Sequence, residues 1–179
     1  MIKALILDLD NTIYPVTSIG NELFEPLLNL LDAHKQEIGE DVLKEIKRQI
    51  MKRAWQKVTD EVGLDQDLVQ QGTDLLRDLD YDKPMQTFAD YKHLKAINLP
   101  KLLVTMGFTK MQQSKVKQLN ISADFDEILI NDPDLTKNTK KEVFQDLMLK
   151  YSLKAGEILV IGDDPKSEID AALQLGIPA

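Results

Sequence analysis

The stretch ALILDLDNT, residues 4–12, places four consecutive apolar residues directly before a pair of aspartates. Three further apolar runs each end at a polar residue or a glycine: residues 102–104 before Thr105, 128–130 before Asn131, and 158–161 before Gly162. Short unbroken runs of Ile, Leu and Val are typical of strands covered on both faces, as in a parallel sheet. Helical patterns separate the later runs, so we predict a doubly wound α/β core.

Capping residues or a proline mark three helix starts. Thr139 and Glu142 have the spacing of a capping box, in which each side chain satisfies a backbone N–H group at the start of the helix. Asp164 directly before Pro165 has the order of an N-cap followed by the first helical residue. Pro84 predicts the first turn of another helix, which would continue through the early nineties.

Residues 15–80 break the alternation of strands and helices. Apolar residues recur there with helical spacing in three successive segments, and no strand pattern of similar strength interrupts them. We therefore predict an all-helical cap domain, residues 15–80, inserted into an α/β catalytic core made of residues 1–14 and 81–179. Residues 176–179 resemble the start of one more strand; the sequence leaves open whether the sheet is short by that strand or the chain is cut before it.

The composition limits the classes of function. The chain has 179 residues, 43% hydrophobic and 29% charged, which is an ordinary globular balance. Its formal net charge of -8 argues against nucleic acid as a partner, because phosphate backbones are bound by clusters of Lys and Arg. The absence of cysteine excludes disulfides and zinc–sulfur sites.

No apolar run has the length of a membrane span or signal peptide, so we expect a soluble cytoplasmic protein without a membrane partner. The oligomeric state is not indicated.

Side chains suited to phosphoryl chemistry follow three of the four predicted strands. Asp8 and Asp10 follow the first, Thr105 the second, and Asp163 with Asp164 the last. Ligands of open parallel sheets bind at the carboxyl ends of the strands, so these side chains should meet at one edge. Crowded carboxylates repel one another unless a cation joins them, and ligands that are all oxygen favour a hard ion such as Mg²⁺.

These motifs and their order resemble those of the haloacid dehalogenase-like hydrolase superfamily, in particular its phosphatases. Residues 8–12, DLDNT, resemble the first motif, and Thr105 after its apolar run is similar to the second, although the family more often has Asn at the position of Met106. Residues 162–164 with Glu168 beyond them resemble the fourth motif. The predicted helical insertion lies where the family has its C1-type cap. The resemblance covers nearly the whole chain.

The resemblance implies a role for each residue. Asp8 would be the nucleophile that forms an aspartyl-phosphate, and Asp10 the general acid and base. Mg²⁺ would be the cofactor, bound by the carboxylates of Asp8 and Asp163 and by the backbone carbonyl of Asp10. Thr105 would bind a phosphoryl oxygen, and Glu168 would act on the groups around the metal without binding it.

The third motif of the family is a lysine that neutralises the phosphoryl group, and its match is ambiguous. The segment TKNTKK, residues 136–141, offers three lysines. We expect Lys140, at the start of the capped helix, to fill the role, with Lys137 as the second choice. Surface lysines with no role are the ordinary alternative. Tyr14 lies directly after the first motif and is a candidate substrate contact.

The predicted function is magnesium-dependent hydrolysis of a small phosphomonoester, with a small phosphorylated metabolite as partner. Asp10 disfavours a metal-independent 2-haloacid dehalogenase, which needs no acid two residues after its nucleophile. A phosphomutase stays open, because it uses the same aspartate pair and differs only in what accepts the phosphoryl group. A non-catalytic regulatory relative also stays open, because the lysine is ambiguous. The physiological substrate is not indicated.

Overall fold

A single four-stranded sheet forms the centre of the molecule. The computed structural model describes all 179 residues. All four apolar runs form parallel strands, in the spatial order β3-β2-β1-β4. Their bounds are β1 Ala4–Leu7, β2 Lys101–Met106, β3 Glu127–Asn131 and β4 Ile158–Ile161. With helices on both faces of this sheet, the predicted doubly wound α/β fold is confirmed.

Ten α-helices connect and cover the strands, and none of them has the length and apolar character needed to span a membrane. Seven lie between β1 and β2, and six of these fall within residues 15–80, where the sequence predicts an all-helical insertion. In chain order the helices are α1 Gly20–Leu23, α2 Glu25–Ala33, α3 Lys35–Ile38, α4 Glu40–Gln49, α5 Trp55–Val62, α6 Gln66–Asp78, α7 Tyr91–Lys95, α8 Thr109–Leu119, α9 Lys140–Lys150 and α10 Glu168–Leu175.

The two faces of the sheet pack into two separate hydrophobic clusters, because successive side chains of a strand point to opposite faces. Leu5 and Leu7 belong to a cluster of 26 buried residues that α8 and the inserted helices complete. Ile6 belongs to the second cluster, of 11 buried residues, which α9 and α10 cover. Burial on both faces explains why the strands are uninterrupted apolar runs.

The inserted helices share the larger cluster with the sheet. Leu27 and Leu31 of α2, Ile46 of α4 and Trp55 of α5 are all buried in it, together with Leu7 of β1. The insertion therefore shares one continuous hydrophobic cluster with one face of the sheet, and α6 packs against α8. The division of the insertion from the core as a domain of residues 15–80 stays a prediction.

The prediction that a helix starts at Pro84 is wrong. Only Tyr91–Lys95 is helical, and the preceding residues run without regular structure. The backbone N–H of Phe88 donates to the carbonyl of Ile13 at 2.8 Å, and that of Met85 donates to the carbonyl of Gln118 at 3.4 Å. These bonds to distant parts of the chain replace the bonds within a helix that the local sequence favours.

The predicted capping box of α9 is confirmed, whereas the predicted cap of α10 is wrong. Thr139 and Glu142 exchange the two hydrogen bonds of a capping box. The last helix begins at Glu168, three residues later than the order of Asp164 and Pro165 predicts. The carboxylate of Asp164 accepts instead from the backbone N–H of Lys166 at 2.8 Å, which closes a turn ahead of the helix.

The last residues of the chain run beside β4. The backbone N–H of Val160 donates to the carbonyl of Pro178 at 2.9 Å, and Ile177 is buried in the smaller cluster. The segment pairs with the sheet at this point without forming a regular strand.

Candidate active site

The loop after β1 presents Asp8 and Asp10 at the carboxyl end of the sheet. The backbone N–H of Asp8 still bonds to the last residue of β4, Ile161, and the chain then turns sharply. Asn11 has a positive φ of 57°, a conformation that Asn tolerates better than most residues. Its side-chain oxygen accepts from the backbone N–H of Val16 at 3.1 Å, which holds the turn closed.

Lys140 lies between two buried carboxylates. Its ammonium nitrogen is 2.5 Å from Oδ1 of Asp8 and 2.7 Å from Oε2 of Glu168. Lys140 is the first residue of α9, so the capping box that starts this helix also places the lysine at the sheet edge. Lys137, the second choice, is exposed. Of the two candidate lysines, Lys140 is therefore the one that the structure brings to Asp8.

Glu168 holds the loop after β4 in place. One of its carboxylate oxygens accepts the backbone N–H groups of Asp163 at 2.9 Å and Asp164 at 2.8 Å. Its other oxygen accepts from the ammonium of Lys140, so both carboxylate oxygens are hydrogen-bonded within the protein. Gly162 is required beside it, because a Cβ atom there would lie 2.2 Å from Cγ of Glu168.

Three carboxylates converge closely enough to hold a cation. Asp8, Asp163 and Glu168 each offer one oxygen, and these oxygens lie within 4.8 Å of one another. The cluster contains three carboxylates and one ammonium, that of Lys140, so its formal charge is -2. A donor set made entirely of oxygen and short of positive charge fits a hard divalent cation such as Mg²⁺.

The pKa values of the same groups reflect first their burial and then the charges of their neighbours. Burial raises the pKa of Asp8 to about 7, although Lys140 acts in the opposite direction. Burial, Glu168 and Asp164 together raise the pKa of Asp163 to about 6. The carboxylates of Asp8 and Glu168 raise the pKa of Lys140 in spite of its burial, so the lysine stays charged.

Asp10 is fixed by three side chains. Its carboxylate accepts from the hydroxyl of Tyr14 at 2.5 Å, from the amide of Gln112 at 3.0 Å and from the ammonium of Lys115 at 2.9 Å. Burial works against ionisation of Asp10, but Lys115 and these hydrogen bonds outweigh it and lower its pKa. Tyr14 is fully buried and its hydroxyl is engaged by Asp10, so its expected role as a substrate contact is wrong.

Gln112 also contacts Thr105, at the end of β2. The amide nitrogen of Gln112 donates to Oγ1 of Thr105 at 2.5 Å and lies 3.0 Å from Asp10. Because the threonine oxygen accepts this bond, its own hydrogen is available for a group in the pocket. Gln112 thus links the loop after β1 to the carboxyl end of β2.

A single pocket brings the predicted site residues together. Asp8, Asp10, Thr105, Lys140, Asp163, Asp164 and Glu168 all line it. The insertion supplies part of its wall, including Lys52 and Arg53 from the connection between α4 and α5 and Lys57 from α5. Arg53 is already paired with Glu61, whereas Lys52 and Lys57 are exposed. The pocket therefore combines a carboxylate cluster on the sheet with cations on the insertion.

Sequence reasoning missed Gln112 and Lys115, although a signal for them exists. Both lie on the face of α8 that carries Met111, Val116 and Leu119 inward, and both are buried. Polar residues three positions apart within an otherwise apolar helical stripe are costly to bury without partners. Such a pair indicates a buried polar contact, but the contacted residue cannot be identified from the spacing.

A family model agrees with the geometry of this site. The model for haloacid dehalogenase-like hydrolases matches residues 2–176. The chain belongs to the haloacid dehalogenase-like hydrolase family. Comparison with curated proteins gives no match.

Solved structures of this hydrolase family share the fold at low sequence identity. A haloacid dehalogenase-like protein from Streptococcus pneumoniae superposes with a TM-score of 0.68 at 20% identity, covering 98% of this chain and 82% of that one. A family protein from Bacillus subtilis, bound to magnesium, superposes with a TM-score of 0.60 at 18% identity, covering 98% of this chain and 84% of that one. The L-2-haloacid dehalogenase of Xanthobacter autotrophicus superposes with a TM-score of 0.56 at 16% identity, covering 99% of this chain and 76% of that one.

Proposed function

We propose that the protein is a magnesium-dependent phosphatase that hydrolyses a small phosphomonoester through an aspartyl-phosphate on Asp8. The observation that carries the proposal is the position of Asp8, at the end of β1 and in one pocket with Thr105, Lys140 and Asp163. A carboxylate nucleophile, a hydroxyl donor, a buried ammonium and a further carboxylate are the parts that phosphoryl transfer to a side chain requires.

In the first step, the carboxylate of Asp8 attacks phosphorus and the bond to the leaving oxygen breaks. Lys140 and the hydroxyl of Thr105 would stabilise negative charge on the phosphoryl oxygens. Mg²⁺ would be held by the carboxylates of Asp8 and Asp163 and the backbone carbonyl of Asp10, and when bound it would offset phosphoryl charge. Glu168 would keep the loop of Asp163 and the ammonium of Lys140 in place through the hydrogen bonds described above.

Asp10 would move the protons in both steps. It would first give a proton to the leaving oxygen, and its carboxylate would then take a proton from the water that attacks the aspartyl-phosphate. The second step restores Asp8 and releases inorganic phosphate. Because Lys115 favours the ionised form of Asp10, the second role is the better supported of the two.

The charge distribution fits an anionic substrate. The chain has a formal net charge of -8, yet Lys52 and Lys57 are exposed in the wall of the pocket, and Arg53 lies between them in sequence. A local group of cations on an acidic protein attracts anions to that place and away from the rest of the surface.

The test is release of inorganic phosphate from p-nitrophenyl phosphate by the full chain. We expect turnover with Mg²⁺, none after chelation, and recovery when Mg²⁺ is returned. Release of chloride from 2-chloropropionate without metal would instead identify a dehalogenase. Transfer of the phosphoryl group to a sugar phosphate without phosphate release would identify a mutase. Binding of Mg²⁺ without turnover of any phosphoester would indicate a non-catalytic relative.

A further inference from the structure

The pocket over Asp8 has two chemically different parts. Its floor at the sheet edge is made of the charged and hydroxyl side chains described above. Beside the cations Lys52, Arg53 and Lys57, its walls carry large apolar side chains that come from the insertion and from the residue before α8. These are Phe24, Leu27, Ile50, Met51, Trp55 and Phe108. A phosphoryl group bound at the floor would direct its leaving group toward these walls.

The size of the pocket limits the leaving group. Its volume is about 180 Å³. Sites for drug-sized ligands typically measure roughly 300–1,000 Å³. Since the phosphoryl group takes part of this space, the enclosed remainder has room for about a single ring, and the pocket is open to solvent beyond it.

Apart from Lys52, Arg53 and Lys57, the walls offer few hydrogen bonds to a leaving group that carries many hydroxyls. The side chain of Asn11 is engaged by the backbone of Val16 and Met51, and the indole N–H of Trp55 donates to the carbonyl of Val69 at 3.2 Å. Among the other neutral side chains of the lining, Gln56, Ser167 and, on the floor, Thr105 have hydrogen-bonding groups. A sugar placed against the apolar part of the wall would therefore give up hydrogen bonds to water without replacing them.

We propose that the pocket selects phosphomonoesters whose leaving group is a compact, mainly apolar alcohol, and disfavours sugar phosphates and nucleotides. This inference rests on the proposed phosphatase function. The apolar part of the substrate would lie against Met51, Trp55 and Phe108, and the exposed lysines of the insertion would be left to attract the phosphate.

Three phosphate esters of primary alcohols test the proposal, because their leaving groups differ little in acidity: benzyl phosphate, ethyl phosphate and glucose 6-phosphate. We expect kcat/KM for benzyl phosphate to exceed that for ethyl phosphate by about tenfold or more, since even one methylene in an apolar pocket gives roughly 10–200-fold. Glucose 6-phosphate should fall at or below ethyl phosphate. Equal or faster turnover of glucose 6-phosphate than of benzyl phosphate would overturn the proposal.

The variant Met51→Gln provides a matched test of the wall. It replaces one flexible apolar side chain of the pocket by a polar one of similar length, and should reduce the preference for benzyl over ethyl phosphate several-fold. Met148→Gln is the control, because Met148 is partly buried against the other face of the sheet. It should leave the preference unchanged. An unchanged preference in Met51→Gln would contradict the assigned wall.

Failure of the proposed function can be separated from failure of this inference. If none of the esters is hydrolysed, binding of benzylphosphonate and methylphosphonate in the presence of Mg²⁺ can be compared by calorimetry. Tighter binding of benzylphosphonate would support the apolar pocket even though the phosphatase assignment had failed. Equal binding of the two phosphonates would overturn the apolar pocket as well.

Discussion

The ammonium nitrogen of Lys115 lies 2.9 Å from Oδ1 and 3.2 Å from Oδ2 of Asp10. The lysine side chain is 2% exposed and that of the aspartate 29%. Each charge stabilises the other only while both are present, because either one alone would lack a counter-ion in a largely buried position. The pair joins the helix that follows Thr105 to the loop that follows β1.

We predict that Lys115→Met lowers the free energy of unfolding by about 3 kcal/mol, the lower end of the range for breaking a buried pair, since Asp10 is partly exposed. Lys115 keeps the pKa of Asp10 low, so the stability it contributes is present above the ordinary pKa of aspartate and is lost as the pH falls through the lower folded-state pKa. The difference between variant and wild type should therefore be largest near neutral pH and shrink below about pH 4. Urea denaturation across this pH range measures it.

Two further variants decide whether the charge of Asp10 is the cause. Adding Asp10→Asn to Lys115→Met removes the unpaired carboxylate and should recover part of the lost stability at neutral pH. Lys117→Met changes an exposed lysine of the same helix and should shift stability by no more than about 0.5 kcal/mol. No recovery in the double variant would mean that Lys115 stabilises the protein by packing alone.

The strands, and the meeting of the predicted site residues in one pocket, could be predicted because their signals are local. An apolar run that ends at Asp8 or Thr105 contains both the strand and the residue at its carboxyl end, and the capping box at Thr139 places Lys140 one residue later. The order of parallel strands then requires these ends to meet at one edge.

The parts that were missed depend on contacts between distant residues. Whether the segment before Tyr91 is helical is decided by the bond from Phe88 to the carbonyl of Ile13, which no local pattern contains. The contacts of Gln112 and Lys115 with Asp10 could not be predicted for the same reason. Both residues are separated from Asp10 by about a hundred residues in the chain. Local sequence shows that two polar residues are to be buried, but it does not show their partners.

Lys140→Ala should remove most phosphatase turnover, whereas Lys137→Ala and Lys141→Ala should stay close to wild type. Only Lys140 contacts Asp8, so only its loss leaves the phosphoryl group without a neutralising ammonium. The same variant should bind Mg²⁺ at least as tightly as wild type, because removing a cation makes the carboxylate cluster more negative. Turnover per folded molecule and calorimetric titration of Mg²⁺ measure the two effects. Loss of turnover in the Lys137 variant alone would transfer the role to that lysine.

Gln112→Met should lower kcat by roughly tenfold to a hundredfold with a smaller change in KM. The substitution keeps the length of the side chain but removes the amide that orients Asp10 and Thr105, and small losses of position are costly in phosphoryl transfer. Gln113→Met, at the exposed neighbouring position, is the control and should be neutral. If Gln112 acts through Asp10, Gln112→Met should lower kcat much less when Asp10 is already replaced by Asn. A full, additive loss in that background would show that it acts elsewhere.

Asp8→Asn and Asp10→Asn should separate the two aspartates of the first motif. Asp8 would use its carboxylate both as nucleophile and as metal ligand, so Asp8→Asn should abolish covalent phosphorylation and weaken Mg²⁺ binding. Asp10 would offer the metal only its backbone carbonyl, so Asp10→Asn should bind Mg²⁺ almost normally while losing about 10²–10⁴-fold in turnover. That loss should shrink for aryl phosphates with more acidic leaving groups, which need little protonation, until hydrolysis of the aspartyl-phosphate becomes limiting. Calorimetry of Mg²⁺ binding and a leaving-group series measure both. If Asp10→Asn loses the metal as badly as Asp8→Asn, the carboxylate of Asp10 is itself a ligand, and its assignment as acid and base is wrong.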